Sequence, residues 1–417
     1  MTPIQLQHTE HIVTELLAFT QPADSILASY FKKNSKIGAK DRYEISEVVF
    51  ALLRRYETLM AFFKQKTQAK NLILGTLVLN KQKTPAELAI FANDKEQQQL
   101  QQLCQQAPTI SQLNLNTQTE LPNWLLDKLS FFSPQELHAF ASSLTTSGPL
   151  DLRVNTLKAK RDNILKALQQ EGIDAISTPF SPWGIRLTQK KALNKHPLFT
   201  NGTIEIQDEG SQLLALLTQA KRGEMMIDFC AGAGGKTLAL GAMMANTGRI
   251  YAIDVSDTRL RNIKPRLERS GLTNVTIQHI AQEQDSRLHK LYGKADKVLI
   301  DAPCSGLGTL RRHPDLKYRQ NDENLAKITQ MQQNILCAAA PLVKKGGKLI
   351  YATCSILPEE NEQQIALFLA NHPDFSLCPV QDILKQQKIA LDMEQYLNLT
   401  PHQHQTDGFF AAILVKN

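Results

Sequence analysis

Apolar residues in the first third of the chain recur every three or four positions, the spacing that gathers them on one face of an α-helix. The clearest examples are Ile12, Val13, Leu16 and Leu17, then Ile26, Leu27, Tyr30 and Phe31, then Ile45, Val48, Val49, Leu52 and Leu53. The two-residue alternation of a half-buried strand is scarce here. The pattern predicts an all-helical domain over residues 1–144.

The pattern changes after the Thr-Thr-Ser-Gly-Pro stretch at residues 145–149, a composition typical of a linker. Residues 150–205 are predicted to form a small α/β subdomain. Its expected elements are a strand over 152–155, a helix over 161–171 and an extended segment over 184–187.

Short β-rich runs alternate with helical patterns in the rest of the chain, residues 206–417. The predicted strands cover 225–229, 249–255, 275–280, 297–300 and 348–353, and the predicted helices cover 235–244, 257–270, 323–343 and 358–370. This alternation predicts parallel β-α-β units with helices on both faces of one sheet. Ligands of such sheets bind beyond the carboxyl ends of the strands, so we expect the chemistry there.

Composition is that of a globular protein of several domains, since 42% of the 417 residues are hydrophobic and 21% are charged. The 47 Lys and Arg residues against 40 Asp and Glu give a net charge of +7, which permits a polyanionic partner without requiring one. Basic residues near the helical stripes form either a phosphate-facing surface or an ordinary solvated face. They are Lys32, Lys33, Lys36, Lys40, Arg42, Arg54 and Arg55.

The six cysteines are scattered without a C-x-x-C pair or a Cys/His ligand spacing. We therefore expect neither a bound metal nor a disulfide framework, and a reducing cytoplasm as the compartment. The chain has no stretch of 18 consecutive apolar residues and does not begin with a basic and apolar signal segment, so no membrane association is expected.

A glycine-rich turn follows the strand predicted at 225–229, with the sequence D-F-C-A-G-A-G-G-K-T over 228–237. Glycines at a strand-to-helix turn let the backbone approach a ligand, and the helix N-terminus attracts negative charge. A nucleotide-like ligand is therefore expected. The dinucleotide pattern G-x-G-x-x-G would need glycine at Thr237, and the P-loop would need glycine at Cys230. A P-loop-like nucleotide hydrolase stays open as an alternative, with Asp301 as its acidic strand end.

Asp254 ends the second predicted strand, 22 residues after Gly232. An acidic side chain there can accept hydrogen bonds from the ribose hydroxyls of an adenosine-type cofactor. The alternative is that Asp254 caps the helix beginning near Asp257.

Cys304 and Cys354 stand just beyond two neighbouring predicted strands, 50 residues apart. Both are expected to face one crevice, where a thiol can react with a substrate. A lone cysteine is usually an inert, buried small hydrophobe, which is our interpretation of Cys104, Cys337 and Cys378. Cys230, inside the glycine turn, is expected to pack beneath the cofactor.

Several motifs together resemble the Sun-family RNA cytosine-5 methyltransferases. They are D-A-P-C-S-G at 301–306, R-R-H-P-D at 311–315, A-T-C-S at 352–355, P-E-E-N at 358–361, G-A-G-G-K-T at 232–237, R-V-N at 153–155, Q-D-E-G-S at 207–211 and D-G-F-F at 407–410. The match spans about residues 153–410. K-D-R-Y-E-I at 40–45 and L-L-R-R at 52–55 resemble the NusB-type RNA-binding domain of the family's bacterial ribosomal branch.

This resemblance implies an α/β class I methyltransferase with a seven-stranded, mostly parallel sheet, preceded by the small α/β subdomain and an all-α NusB-like domain. It implies S-adenosylmethionine as cofactor and RNA, namely 16S ribosomal RNA, as partner, with a monomer expected. The implied cofactor contacts are Cys230, Ala231, Gly232, Gly234, Gly235, Lys236, Asp254, Arg259 and Asp301. Where family members often place an acidic residue near the adenine, Gln282 stands here, so Gln282, Glu283 and Asp285 all stay open for that contact.

Methylation at carbon 5 of cytosine needs covalent help, because that carbon is a poor nucleophile. A thiolate that adds to carbon 6 activates carbon 5. By the resemblance Cys354 is this nucleophile, Cys304 is a second thiol that assists proton removal and enzyme release, and Asp301 hydrogen-bonds the pyrimidine edge. RNA contacts are expected from the loop at 311–313 and the N-terminal basic cluster. Arg153 and Asn155 either orient the substrate or are structural; a catalytically silent RNA-binding ribosome assembly factor is the remaining alternative.

Overall fold

The structure, a computed structural model, describes residues 1–64, 67–80, 82–189 and 191–417. The chain forms two compact units. A helical unit comprises Met1–Ser147 and Thr309–Asn324, and an α/β unit comprises Gly148–Gly308 and Leu325–Asn417. Among the described residues, no helix has the length and apolar character needed to cross a bilayer.

The helical unit is built from amphipathic helices around one core. They are α1 (Pro3–Leu16), α2 (Ala23–Lys33), α3 (Ala39–Arg54), α4 (Tyr56–Phe63), α5 (Ala69–Leu79), α6 (Asp94–Ile110), α7 (Leu115–Thr119), α8 (Asn123–Lys128) and α9 (Pro134–Ser143). Thr2 and Gln5 form a capping box that starts α1, with Pro3 in the first turn. The predicted stripes supply the core, where Ile12, Val49 and Leu52 are fully buried.

The α/β unit begins with a four-stranded antiparallel sheet in the order β2-β3-β1-β4. Its elements are β1 (Leu150–Val154), α10 (Arg161–Gln170), β2 (Ala175–Ser177), β3 (Gly184–Leu187), α11 (Pro197–Thr200) and β4 (Ile204–Ile206). The strand over 184–187 has its predicted bounds. The short strands β2 and β4 were not predicted.

A larger sheet follows, with the order β10-β12-β9-β8-β5-β6-β7 and β11 paired to β12. The strands are β5 (Met225–Asp228), β6 (Arg249–Asp254), β7 (Val275–His279), β8 (Ala295–Asp301), β9 (Val343–Thr353), β10 (Phe375–Cys378), β11 (Leu397–Leu399) and β12 (Phe409–Lys416). Strands β5 to β9 are parallel, and β12 runs antiparallel to β9. The parallel core agrees with the predicted β-α-β alternation.

Helices cover both faces of this sheet, and apolar clusters lie under each layer. The helices in this part of the chain are α12 (Glu209–Leu217), α13 (Gly235–Met243), α14 (Asp257–Arg261), α15 (Ile263–Ser270), α16 (Leu316–Arg319), α17 (Asp322–Ala339), α18 (Glu362–Asn371), α19 (Val380–Gln386) and α20 (Pro401–His404). Of these, α16 folds with the helical unit. There the backbone N–H of Ala23 donates to Asp315 at 3.2 Å, and Lys317 Nζ donates to the carbonyl of Glu120 at 2.5 Å.

Three helix predictions were wrong in extent. The helix predicted over 358–370 is a 3-10 turn, Pro358–Glu360, followed by α18 after a break at Asn361. The helix predicted over 257–270 is two helices that meet at Asn262, because Pro265 cannot continue the hydrogen-bond ladder of α14 and is tolerated in the first turn of α15. The helix predicted to reach residue 343 ends at Ala339, and Val343 already begins β9.

Candidate active site

The two strand-end thiols lie against each other. Strands β8 and β9 are parallel neighbours with Asp301 opposite Ala352, so their carboxyl ends reach the same edge of the sheet. Cys304 follows one strand and Cys354 the other, and their Sγ atoms are 3.2 Å apart. Both thiols are unbridged and partly exposed, so a substrate can reach them.

Cys304 is the thiol of this pair whose surroundings favour the protonated form. A hydrogen bond with the Cys354 side chain, reinforced by burial, raises the pKa of Cys304 well above its usual value. A protonated Cys304 can donate to the sulfur of Cys354 across the 3.2 Å contact. A donated hydrogen bond stabilises negative charge on the acceptor, which favours Cys354 as the nucleophilic sulfur.

The glycine turn between β5 and α13 carries a second charged pair. Lys236 Nζ lies 2.6 Å from Asp301 Oδ2, with the lysine side chain 10% exposed and the aspartate side chain 35% exposed. Gly232 has φ +54° and Gly234 φ +82°, conformations that favour glycine. Among the described residues nothing lies within 4 Å of where a Cβ on Gly232 would stand, so its backbone is open to a ligand.

Asp254 faces this turn rather than a helix end. Its Oδ2 accepts from the backbone N–H of Gly232 at 2.8 Å, and its Oδ1 from that of Ser256 at 2.7 Å. The helix α14 is capped by Ser256, whose hydroxyl accepts from the N–H of Arg259, so the alternative role of Asp254 as helix cap is wrong. A carboxylate has about four acceptor positions, and these two bonds leave room for two ribose hydroxyls.

The cofactor S-adenosylmethionine fits these residues. Among the described residues, no side chain caps the N-terminus of α13, so its first N–H groups suit a carboxylate such as that of a methionine moiety. Cys230 is half-buried beside the turn, and burial raises its pKa, as expected for a packing role. The side chain of Arg259 is exposed, and Ala231 is buried.

The three candidates for an adenine contact differ in how they are engaged. Asp285 accepts from the backbone N–H of Ala281 and pairs with Arg287, whose hydrogen bond lowers its pKa below the usual range. This engagement disfavours Asp285 as a ligand group. Gln282 is exposed and Glu283 half-buried.

Arg153 and Asn155 are buried in structural hydrogen bonds. Arg153 donates to the side chain of Gln207 and to the carbonyl of Gly235, at 2.7 Å for the latter, so it anchors the first residue of α13. Asn155 donates to the carbonyls of Gly202 and Ser270. These contacts favour a structural role for both residues over a role in orienting the substrate.

The loop at 311–313 belongs to the helical unit. Arg311 is 7% exposed, and its carbonyl accepts from Arg54 at 2.9 Å. His313 Nδ1 lies 3.0 Å from Asp24 and is partly exposed. Of these, His313 is the more accessible to RNA.

Sequence reasoning assigned no role to Glu360, although it connects the two thiol loops. Its carboxylate is fully buried and accepts from Ser305 and Ser355, the residues directly after Cys304 and Cys354. A signal was present in the sequence, since both loops read C-S-x-L.

Comparison with known proteins gives consistent matches. Residues 215–415 match the family model described as 16S rRNA methyltransferase RsmB/F, and residues 121–194 match that of the ferredoxin-like domain of RsmF/B-like methyltransferases. A probable ribosomal RNA small subunit methyltransferase B of Synechocystis is 35% identical over 306 residues, 73% of this chain and 68% of that protein. The ribosomal RNA small subunit methyltransferase B of Photorhabdus laumondii is 35% identical over 71% of this chain and 66% of its own length.

Solved structures agree on the fold. The crystal structure of PH0851 is 25% identical with a TM-score of 0.80, covering 100% of this chain and 99% of that one. A methyltransferase homolog protein from Pyrococcus horikoshii is 29% identical with a TM-score of 0.62, covering 72% of this chain and 97% of that one. The large sheet, with its mostly parallel strands, is that of class I S-adenosylmethionine-dependent methyltransferases.

Proposed function

The chain belongs to the RsmB/F family of 16S rRNA methyltransferases, and we propose that it transfers a methyl group from S-adenosylmethionine to carbon 5 of a cytosine in 16S ribosomal RNA. The observation that carries this proposal is the pair of partly exposed thiols, 3.2 Å apart, at the ends of β8 and β9. One sulfur can attack a pyrimidine while the other donates or accepts a proton.

Cys354 is the proposed nucleophile. Its sulfur adds to carbon 6 of the cytosine, and the electron pair of the 5,6 double bond moves to carbon 5. When bound, S-adenosylmethionine supplies an electrophilic methyl group on a sulfonium for this activated carbon. Asp301, one-third exposed and paired with Lys236, is the group that would hydrogen-bond the pyrimidine edge.

Cys304 serves two stages of the reaction by changing its acidity. In the free enzyme its thiol donates to Cys354 and keeps its proton. Once Cys354 is bonded to carbon 6, its sulfur is a thioether and a poorer acceptor, so the main cause of the raised pKa of Cys304 is weakened. Cys304 can then lose its own proton to solvent, and its thiolate accepts the carbon-5 proton. The electron pair of that C–H bond re-forms the 5,6 double bond, the carbon–sulfur bond breaks and Cys354 leaves as thiolate.

The cofactor residues are assigned by their hydrogen-bonding capacity. Asp254 would accept from the ribose hydroxyls, the backbone of Gly232 and Gly234 would line the turn, and the N-terminus of α13 would face the carboxylate. Lys236 holds Asp301 rather than a phosphate. Cys230, Ala231, Gly235 and Arg259 complete the proposed surroundings of the cofactor.

RNA binding is assigned to the helical unit as a NusB-like domain, through basic side chains such as Lys32, Lys33 and Lys36. Contacts to phosphates position the RNA and weaken as salt concentration rises. The target base must leave its stack to reach the thiols, at a cost of a few kcal/mol that is smaller in a loop.

The test uses three single variants with 16S rRNA and radiolabelled S-adenosylmethionine. Cys354→Ala is expected to abolish both methyl transfer and the covalent protein–RNA adduct. Cys304→Ala is expected to accumulate adduct on denaturing gels with turnover reduced by a factor on the order of a hundred or more. Cys104→Ala, a substitution at an exposed cysteine of α6, is the control and is expected to behave as the native protein.

Three results would contradict the proposal. Normal turnover in Cys304→Ala together with adduct in Cys354→Ala would reverse the two roles. Binding of ATP without binding of S-adenosylmethionine would favour the nucleotide hydrolase. RNA binding with no methyl transfer by the native protein, on naked 16S rRNA and on small-subunit particles, would favour a silent assembly factor. Bisulfite sequencing then identifies the modified cytosine.

A further inference from the structure

Glu360 is a buried carboxylate to which both thiol loops are fastened. Its Oε1 accepts from the backbone N–H of Ser305 at 2.7 Å and from Gln332 Nε2 at 3.1 Å. Its Oε2 accepts from the hydroxyl of Ser305 at 2.5 Å and from the hydroxyl of Ser355. Four hydrogen bonds fill the capacity of a carboxylate and offset the cost of burying it.

The two serines are bound in the same way on both loops. Each hydroxyl donates to Glu360 and also accepts from the backbone N–H of the leucine two residues later, Leu307 at 3.4 Å and Leu357 at 3.1 Å. Each hydroxyl therefore has both its hydrogen and an acceptor site engaged. The direction of each loop directly after its cysteine is fixed by this one carboxylate.

Further bonds hold the surrounding backbone. The Tyr351 hydroxyl donates to the carbonyl of Glu360 at 2.7 Å, and Asn361 accepts from the hydroxyl of Thr353 at 2.6 Å while donating to the carbonyl of Ser355 at 3.1 Å. The short stretch after Pro358 is thus tied to the end of β9. These bonds hold the backbone of Glu360 in place, so its carboxylate can fix the position of both loops.

We propose that Glu360 is the positioning residue of the thiol pair, which holds the Cys304 and Cys354 loops at the separation that lets one sulfur donate to the other. Its importance for methyl transfer rests on the proposed function, but its effect on the two thiols does not. The negative charge of Glu360 also contributes to the raised pKa of Cys304, after the larger effects of Cys354 and burial. The position of Glu360 and its negative charge thus both favour the protonated form of Cys304.

Glu360→Gln removes the negative charge. It also replaces one carboxylate oxygen, which accepts hydrogen bonds, with an NH₂ group, which donates them. The amide oxygen can still accept from the N–H of Ser305, but the NH₂ group then faces two serine hydroxyls that already accept from leucine N–H groups. The fastening of at least one loop is therefore weakened. Cys304 loses part of what keeps it protonated, and Cys354 loses its hydrogen-bond contact with Cys304.

The experiment is site-resolved alkylation with iodoacetamide from pH 6 to 10, read by mass spectrometry of the peptides that contain each cysteine. Because only the thiolate reacts, the rate reports ionisation. In Glu360→Gln, Cys304 is expected to react roughly tenfold faster near pH 8, while Cys354 reacts more slowly. Glu362→Gln, a change in a half-buried carboxylate of α18 that accepts from Asn398 rather than from either thiol loop, is the matched control and is expected to match the native protein.

Opposite changes at the two thiols are the decisive result. Simple loosening or local unfolding would expose both and accelerate both, and unchanged rates in a folded Glu360→Gln protein would equally overturn the proposal. Glu360→Asp, which keeps the charge, is expected to restore part of the native pH profile. If Glu360→Gln does not fold, Ser355→Ala removes one donor and is expected to give the same opposite pattern at smaller size.

The assay uses neither RNA nor methyl donor, so it separates two kinds of failure. If the alkylation pattern appears but the native protein never methylates RNA, the proposed function fails and the role of Glu360 stands. If methylation occurs and Glu360→Gln changes neither the alkylation profile nor kcat, the positioning role fails alone.

Discussion

Asp228 gives the α/β unit a dependence on pH whose sign and size follow from its burial. The side chain ends β5, is 1% exposed, and accepts one hydrogen bond, from Thr237 Oγ1 at 2.6 Å. Burial raises its pKa from 3.8 to about 7; the Thr237 bond opposes this rise, and the nearby Asp301 carboxylate adds to it. Between about pH 4 and pH 7 the folded protein therefore holds a proton that the unfolded chain has released.

The free energy of unfolding must then fall as pH rises through this window. Each unit of pKa difference corresponds to about 1.4 kcal/mol, so a difference of about three units amounts to roughly 4 kcal/mol, of which roughly 2 kcal/mol lies between pH 5 and pH 7. Asp228→Asn cannot ionise and can still accept from Thr237. Its stability relative to the native protein is expected to rise by roughly 3 kcal/mol between pH 5 and pH 8.

Urea unfolding at pH 5, 6, 7 and 8 measures this difference. The matched control is Asp285→Asn, because the pKa of Asp285 is lowered by Arg287 and its titration lies below this range. The difference between that variant and the native protein is expected to stay constant from pH 5 to pH 8. A constant difference for Asp228→Asn as well would refute the argument, since it would mean that Asp228 is ionised throughout the range.

Two other substitutions test the packing around the site and the small sheet. Gly308→Ala would place a Cβ 2.1 Å from the carbonyl oxygen of Gly408, so we expect a loss on the order of 2 kcal/mol or more in thermal unfolding; native stability would contradict this. Arg186→Met removes the partner of two buried carboxylates, Asp151 at 2.7 Å and Glu209 at 3.7 Å. A loss of about 3–5 kcal/mol is expected in urea at neutral pH, shrinking near pH 4 as Glu209, whose pKa burial raises, gains a proton, and an equal loss at both pH values would count against it.

The strand ends were the part of the site most accessible to sequence reasoning. A buried parallel strand reads as an apolar run, and the first polar residues after it mark its carboxyl end. That logic located Asp254, Asp301 and the two thiols from their positions alone. Parallel pairing of β8 with β9 then brings together residues 50 positions apart. Predicting this proximity requires only the order of the strands and no knowledge of side-chain packing.

The C-terminal part of the sheet was missed for the opposite reason. Strand β12 (Phe409–Lys416) is buried and reads F-F-A-A-I-L-V-K, an apolar run that does not distinguish a strand from a buried helix by periodicity. It lies antiparallel to β9, outside the repeating β-α-β alternation that guided the other predictions. The split helix at Asn262 was different, because Pro265 was a visible local signal.

Glu360 is a residue of the site that inspecting the strand ends does not identify. A glutamate in P-E-E-N looks like any exposed helix-start acid, and its burial depends on Ser305, 55 residues away, as much as on Ser355 nearby. The repeated C-S-x-L sequence indicated two similar loops, yet nothing local states that they share one acceptor. A carboxylate that accepts three bonds from the serines that follow the two thiols, and a fourth from Gln332, is costly to bury, because any lost donor leaves a charge unsatisfied. That sensitivity is what makes it suitable for fixing a distance between two sulfur atoms.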